Sequence, residues 1–167
     1  GTQFGQSGVA LAKAKVRRWT NAELRRAILD FALAGLNTIE VAHPTSSADA
    51  RYQVAREFDL KTLVHISPNA GQGPPEWQAI ESIGRSGYLC PSVAAARRAL
   101  LEKCERTFQS SLPVDYVRFA GGDGGGCECD RCKPYGARYI RLCEDMAAII
   151  RRYHPNTQFF ATNQKFD

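Results

Sequence analysis

Val114-Asp115-Tyr116-Val117-Arg118-Phe119-Ala120-Gly121-Gly122-Asp123-Gly124-Gly125-Gly126-Cys127-Glu128-Cys129-Asp130-Arg131-Cys132 is the stretch that decides the architecture. Residues 114–119 read as a strand, and the glycines from Gly121 to Gly126 break it. Three cysteines follow at Cys-x-Cys-x2-Cys spacing, and helical periodicity is expected from about Tyr135 to Tyr153. The unit is strand, loop, helix, with its ligand-type residues in the loop.

The same alternation extends outward in both directions. Residues 9–15 form a weak first strand. Thr20 with Glu23 is a capping box that opens a helix whose stripe is Leu24, Ile28, Phe31 and Leu33, and Gly35 ends it. A strand at 38–42 is halted by His43-Pro44. A second helix is capped by Ser46 or Ser47 and faces Tyr52, Ala55 and Phe58 inward. A strand at 63–66, a polar loop at 67–75 and a short helix at 76–83 lead to a further short strand, Tyr88-Leu89-Cys90. Ser92 then caps a long helix over about 93–109, and residues 157–162 form a closing strand.

Strands alternating with helices mean βαβ units and a parallel sheet. No Gly-x-Gly-x-x-Gly opens a helix after the first strand, which argues against a dinucleotide-binding sheet. The expected fold is therefore α/β, a parallel (β/α) barrel. A full barrel takes about 250 residues, so residues 1–167 are expected to be a single barrel domain or barrel fragment holding about six of the eight units. An open doubly wound sheet is the alternative.

The bulk properties narrow the function classes. The formal net charge is +5 and the pI about 9.0, yet the basic residues are dispersed as pairs at helix edges, as solvated faces would be. Nucleic acid is accordingly not the expected partner. No apolar run approaches the roughly 18 residues of a membrane span. Three of the six cysteines fall within six residues, which is poor disulfide geometry and good metal geometry.

In parallel α/β folds the chemistry gathers at the C-terminal strand ends. Glu40, His43, His65, Asn69, Cys90, Asp123 and Asn163 stand there. Asp123 and Glu40 are the expected catalytic carboxylates, and His43, His65, Asn69 and Asn163 the expected substrate contacts. Asp123, flanked by five glycines, lets a bulky ligand come close. Cys127, Cys129 and Cys132 place three thiolates within one turn, as a tetrahedral zinc ion requires. The fourth ligand must come from elsewhere. His154, Cys90, Cys143 and Asp130 all qualify by type and the sequence does not choose among them; His154, which closes the following helix, stands with the three cysteines in the expected site. A fully protein-ligated ion there would be structural, pinning the loop over residues 121–134.

The stretch from Gly121 to Pro134 resembles the Asp-x-Gly-Gly-Cys-x-Cys-x2-Cys-x-Pro loop of bacterial proteins related to glycoside hydrolases of the β-hexosaminidase and α-glucuronidase type. Leu89-Cys90-Pro91-Ser92 and the helix end Arg151-Arg152-Tyr153-His154-Pro155-Asn156 are also similar. The resemblance implies a (β/α)8 barrel, a carbohydrate substrate, and Asp123 at the Asp of the hexosaminidase Gly-Gly-Asp-Glu motif. Gly124 stands where those enzymes carry the general acid Glu. Either another carboxylate such as Glu40 serves, or the barrel binds without cleaving. A second resemblance is to tRNA-guanine transglycosylases, which pair a Cys-x-Cys-x2-Cys zinc site and a downstream His with a Tyr- and Arg-containing helix, loosely echoed by Tyr135 to Ile140. It ranks second because that zinc loop does not follow a strand-end Gly-Gly-Asp.

Overall fold

The computed structural model describes residues 19–80, 87–121 and 127–163. Helix α1 (Asn21–Leu33) begins where the sequence says it must. The Thr20 hydroxyl accepts from the Glu23 backbone and the Glu23 carboxylate accepts from the Thr20 backbone. It ends in a Schellman turn, Gly35 N–H to the Ala32 carbonyl at 2.9 Å and Leu36 N–H to Phe31 at 3.0 Å, with Gly35 at φ +90°. Leu33 lies outside the buried stripe, 77% exposed.

Strands β1 (Thr38–Glu40), β2 (Lys61–Ile66), β3 (Tyr116–Gly121) and β4 (Gln158–Asn163) form one sheet in the order β1-β2-β3-β4, every pair parallel. Helices α2 (Ala50–Glu57), α3 (Ala94–Ser110) and α4 (Tyr135–Tyr153) provide the crossovers. Strand order that follows chain order, with the right-handed crossovers that parallel βαβ units adopt, puts the three crossover helices on one face. That is single winding, the arrangement of a (β/α) barrel, and it lacks the order reversal of a doubly wound sheet. Val64, Val117 and Phe119 pack on the helix side against Leu100, Phe108, Tyr139, Leu142 and Ile150.

Two expected elements differ. Tyr88-Leu89-Cys90 is not a sheet strand: Tyr88 and Leu89 make isolated antiparallel bridges to Ala70 and Gln78. Of the helix expected over 76–83, the described part holds one 3-10 turn, Pro75–Trp77, because the prolines and glycines before it favour extended backbone; residues 81–83 lie outside the described residues. Together these bridges fold the long connection between β2 and α3 back on itself. Two other boundaries shift: α2 is capped by Asp49 rather than a serine, and α3 follows Val93. The strand expected over residues 9–15 lies outside the described residues.

The N-terminal ends of the strands are held by Asp115. Its carboxylate accepts from the Thr62 backbone and hydroxyl, each at 2.9 Å, and pairs with Arg56 and Lys61, each at 3.3 Å. Burial opposes its ionisation, but the Thr62 hydrogen bonds, then Arg56 and Lys61, outweigh it and hold the pKa below the ordinary carboxylate value. A depressed pKa stabilises the fold above the unfolded value, about 3.9, and loses that contribution as pH falls through the folded one. Asp115→Ala is therefore expected to cost about 2 kcal/mol at pH 7. In denaturant titrations the gap to wild type should narrow below about pH 4.

Candidate functional site

Four sulfurs converge beside the loop that follows β3. The Sγ atoms of Cys90, Cys127, Cys129 and Cys132 all lie within 4.8 Å of one another. Cys90 Sγ is 3.7 Å from Cys129 Sγ and 3.6 Å from Cys132 Sγ. An ion bound tetrahedrally by thiolates at about 2.3 Å spaces its sulfurs about 3.8 Å apart. The residues present therefore fit a single small ion.

Each sulfur is placed by local structure. The Cys127 segment is anchored by the Glu128 N–H donating to the Ile80 carbonyl at 2.7 Å. Cys129 and Cys132 flank a 3-10 turn, Asp130–Cys132, closed by Cys132 N–H to the Cys129 carbonyl at 2.9 Å. Cys90 arrives from the folded-back connection, its N–H donating to the Trp77 carbonyl at 2.7 Å. Ser92 joins the two segments: the Cys132 thiol donates to Ser92 Oγ at 3.1 Å, and Ser92 donates to the Arg131 carbonyl at 3.0 Å. Cys90, Cys127 and Cys132 are buried and Cys129 is half-buried.

The thiols titrate unequally. Burial pushes Cys127 up to about 11 and Cys132 higher still. Cys129 is likewise opposed by burial, but hydrogen bonds from Cys127, Cys132 and Cys90 bring it down to about 7. A buried set of four sulfurs loses its protons together only when a cation offsets the charge. Cys104 and Cys143 are different. Burial holds both near 12, as in core cysteines without redox or ligand duty.

His154, expected to complete the metal set, is not among the four clustered side chains. His154 is buried, with Nε2 3.1 Å from the Phe108 carbonyl and its ring 5.5 Å edge-on from Phe108. Cys90 stands in the fourth position instead, brought there by a long-range fold of the chain. The transglycosylase resemblance implied a downstream histidine there, and with sulfur in its place that resemblance loses its distinctive support.

The remaining expected site residues divide. Register partners on parallel strands share a face, so Glu40, Leu63 and Tyr116 lie with His65, Arg118 and Phe160 on the side away from the helices. Arg118 donates to His65 Nδ1 at 2.9 Å. An arginine only donates, so the neutral ring carries its proton on Nε2. Desolvation, then Arg118, lower the His65 pKa against the pull of Glu40. Arg118 Nε is buried without a partner among the described residues. Arg118 and Phe160 escape a search of C-terminal strand ends because they sit mid-strand, and Tyr116 because it opens β3; the charged Arg118 inside an otherwise strand-like run was the available signal.

His43 packs its ring 5.1 Å from Phe108 and, with His65, borders a cavity of about 160 Å³. Asn69 is buried and its amide donates to the Leu89 carbonyl at 3.3 Å, bracing the connection that carries Cys90. Asn163 ends β4 opposite Gly121. Asp123, two residues past β3, lies outside the described residues.

Neither a protein-family model nor a curated protein matches the chain. Among solved structures it is similar to a GH36 α-galactosidase of Geobacillus stearothermophilus in complex with stachyose (TM-score 0.57, 14% identity, 90% of this chain and 27% of that one). It is similar also to α-L-fucosidase isoenzyme 2 of Paenibacillus thiaminolyticus (TM-score 0.57, 12% identity, 87% and 29%) and to a debranching enzyme of Nostoc punctiforme (TM-score 0.53, 10% identity, 96% and 42%). The chain thus spans between 27% and 42% of these three chains. At these identities the likeness is one of fold: four parallel strands with their helices, arranged as in part of a (β/α) barrel.

Proposed function

We propose that this chain is part of a glycoside hydrolase-like barrel that acts on a carbohydrate, with a structural zinc centre beside the site. The observation that carries the reading is the sheet face turned away from the described helices, where register places Glu40, His65 and Arg118 on one side with Tyr116 and Phe160 and Arg118 donates to His65. Sugars are bound by such pairings of hydrogen-bonding groups with apolar ring faces. Phe160 is 41% exposed, a large apolar surface left open on that face.

In this reading Asp123 and Glu40 supply the carboxylates that glycoside hydrolysis requires. His65 offers its Nε2–H to a hydroxyl, with Arg118 fixing the tautomer. His43, Asn69 and Asn163 complete the surroundings, Asn69 through its hold on Leu89. Zinc, ligated by Cys90, Cys127, Cys129 and Cys132, has no open position in a four-sulfur set and serves as a brace for the loop after β3. One sequence observation favours a binding-only barrel: Gly124 follows Asp123 where the resemblance implies a general acid.

Hydrolysis of a panel of aryl glycosides separates the two. If the barrel cleaves, Asp123→Asn is expected to lower kcat/KM by about 100-fold or more, with zinc content unchanged. Glycan binding without turnover supports the binding-only reading. Neither binding nor turnover across the panel removes the carbohydrate assignment.

A further inference from the structure

The arginines that look dispersed along the chain converge in space. A cleft of about 460 Å³ opens between the start of α3 and the start of α4, lined by Ser92, Ala94, Arg97, Arg131, Arg138 and Arg141. Among the described residues no acidic side chain lines it. Three separate segments supply the guanidinium groups: α3 gives Arg97, the turn between Cys129 and Cys132 gives Arg131, and α4 gives Arg138 and Arg141. Arg97 is paired with Asp145. Arg131, Arg138 and Arg141 are exposed and form no ion pair among the described residues.

This placement is electrostatically unfavourable for the protein alone. Arg138 and Arg141 are spaced i,i+3 on α4, where like charges repel. The first turns of α3 and α4 contain no acidic residue, although the positive end of a helix favours one. Solvated helix faces would mix the signs of charge; here one sign surrounds one concavity. A multiply charged oxyanion would relieve the repulsion, and the guanidinium fork matches phosphate and sulfate oxygens in bidentate fashion. The volume lies within the range of small-ligand sites, roughly 300–1,000 Å³.

We infer that the cleft between α3 and α4 is a binding site for a ligand carrying phosphate or sulfate groups. Arg131 is its pivot. Its position rests on the cysteine centre proposed above, because Ser92 ties the Arg131 carbonyl and the Cys132 thiol to the α3 side.

The test is calorimetric titration of the metal-loaded protein at about 50 mM salt with inorganic pyrophosphate and with a disaccharide bearing sulfate esters. At least one probe is expected to bind, and the probe preferred identifies the source of the oxyanion. Arg138→Ala/Arg141→Ala is expected to weaken binding about tenfold or more with metal per chain unchanged, whereas Arg26→Ala on α1 leaves it as in wild type. No measurable binding of either probe, or equal binding by the double variant, overturns the assignment. Metal counted in the same samples keeps failure of the cysteine centre distinct: protein without metal that still binds through these arginines retains the cleft and loses only the brace.

Discussion

Cys90→Ser should purify with less than about one tenth of the wild-type zinc, and His154→Ala with the full complement. A serine hydroxyl is a poor zinc ligand, and a set of three thiolates open to water holds the ion far less tightly than a closed set of four. Structural zinc sites in small peptides contribute about 10–16 kcal/mol of apparent binding energy at pH 7, so losing even a fraction of it is felt as stability. Here an ion held by the four sulfurs would join two segments separated by a strand and a helix, Cys90 before α3 and Cys127 to Cys132 after β3. Its loss should therefore free both loops at once, read as a drop in thermal midpoint and as faster proteolysis at residues 127–134. His154→Ala should also destabilise, since Nε2 and the ring both pack on Phe108, but with the metal retained. That pattern, metal lost in one variant and kept in the other, separates the ligand from the core residue.

Phe108→Ala is expected to cost about 3–5 kcal/mol, the range for removing a buried aromatic from a well-packed core. Phe108 is 2% exposed and lies between two imidazoles, His43 at 5.1 Å and His154 at 5.5 Å. It also borders the cavity shared by His43 and His65. Truncation enlarges that cavity, removes the ring that positions His43, and leaves the partner rings without their dispersion contacts. Equilibrium unfolding in urea gives the measurement. A cost below about 1 kcal/mol would mean that the α3 end repacks freely around the gap, contrary to the close contacts seen.

How much of this was legible in the sequence depends on the range over which each feature is determined. Helix α1 was readable at both ends because its cap and its Schellman turn involve residues within a few positions of each other. Helix α4 was readable because its buried stripe, including Tyr139, Leu142, Met146 and Ile150, repeats over a long stretch. Tyr88-Leu89-Cys90 was misread because a three-residue apolar run has the same local pattern in a sheet strand and in a bridge. Only its partners, Ala70 and Gln78, distinguish the two. The choice of Cys90 among the four candidate fourth ligands was hidden for the same reason. Three ligands announce themselves within six residues, but Cys90 reaches them through the bridged connection, and no local spacing encodes that return. Arg118 was passed over because its alternation suited a strand, and which face of that strand is lined by helices is a property of the whole sheet. The arginine cleft was hidden most completely, since its side chains come from three elements far apart in sequence.

The cysteine centre is tested most directly by zinc K-edge X-ray absorption on the purified protein. The expected spectrum fits one zinc per chain with four sulfurs at about 2.3 Å and no lighter ligand. A shell of three sulfurs with one nitrogen at about 2.0–2.1 Å would contradict the assignment of Cys90 and return the fourth position to a histidine.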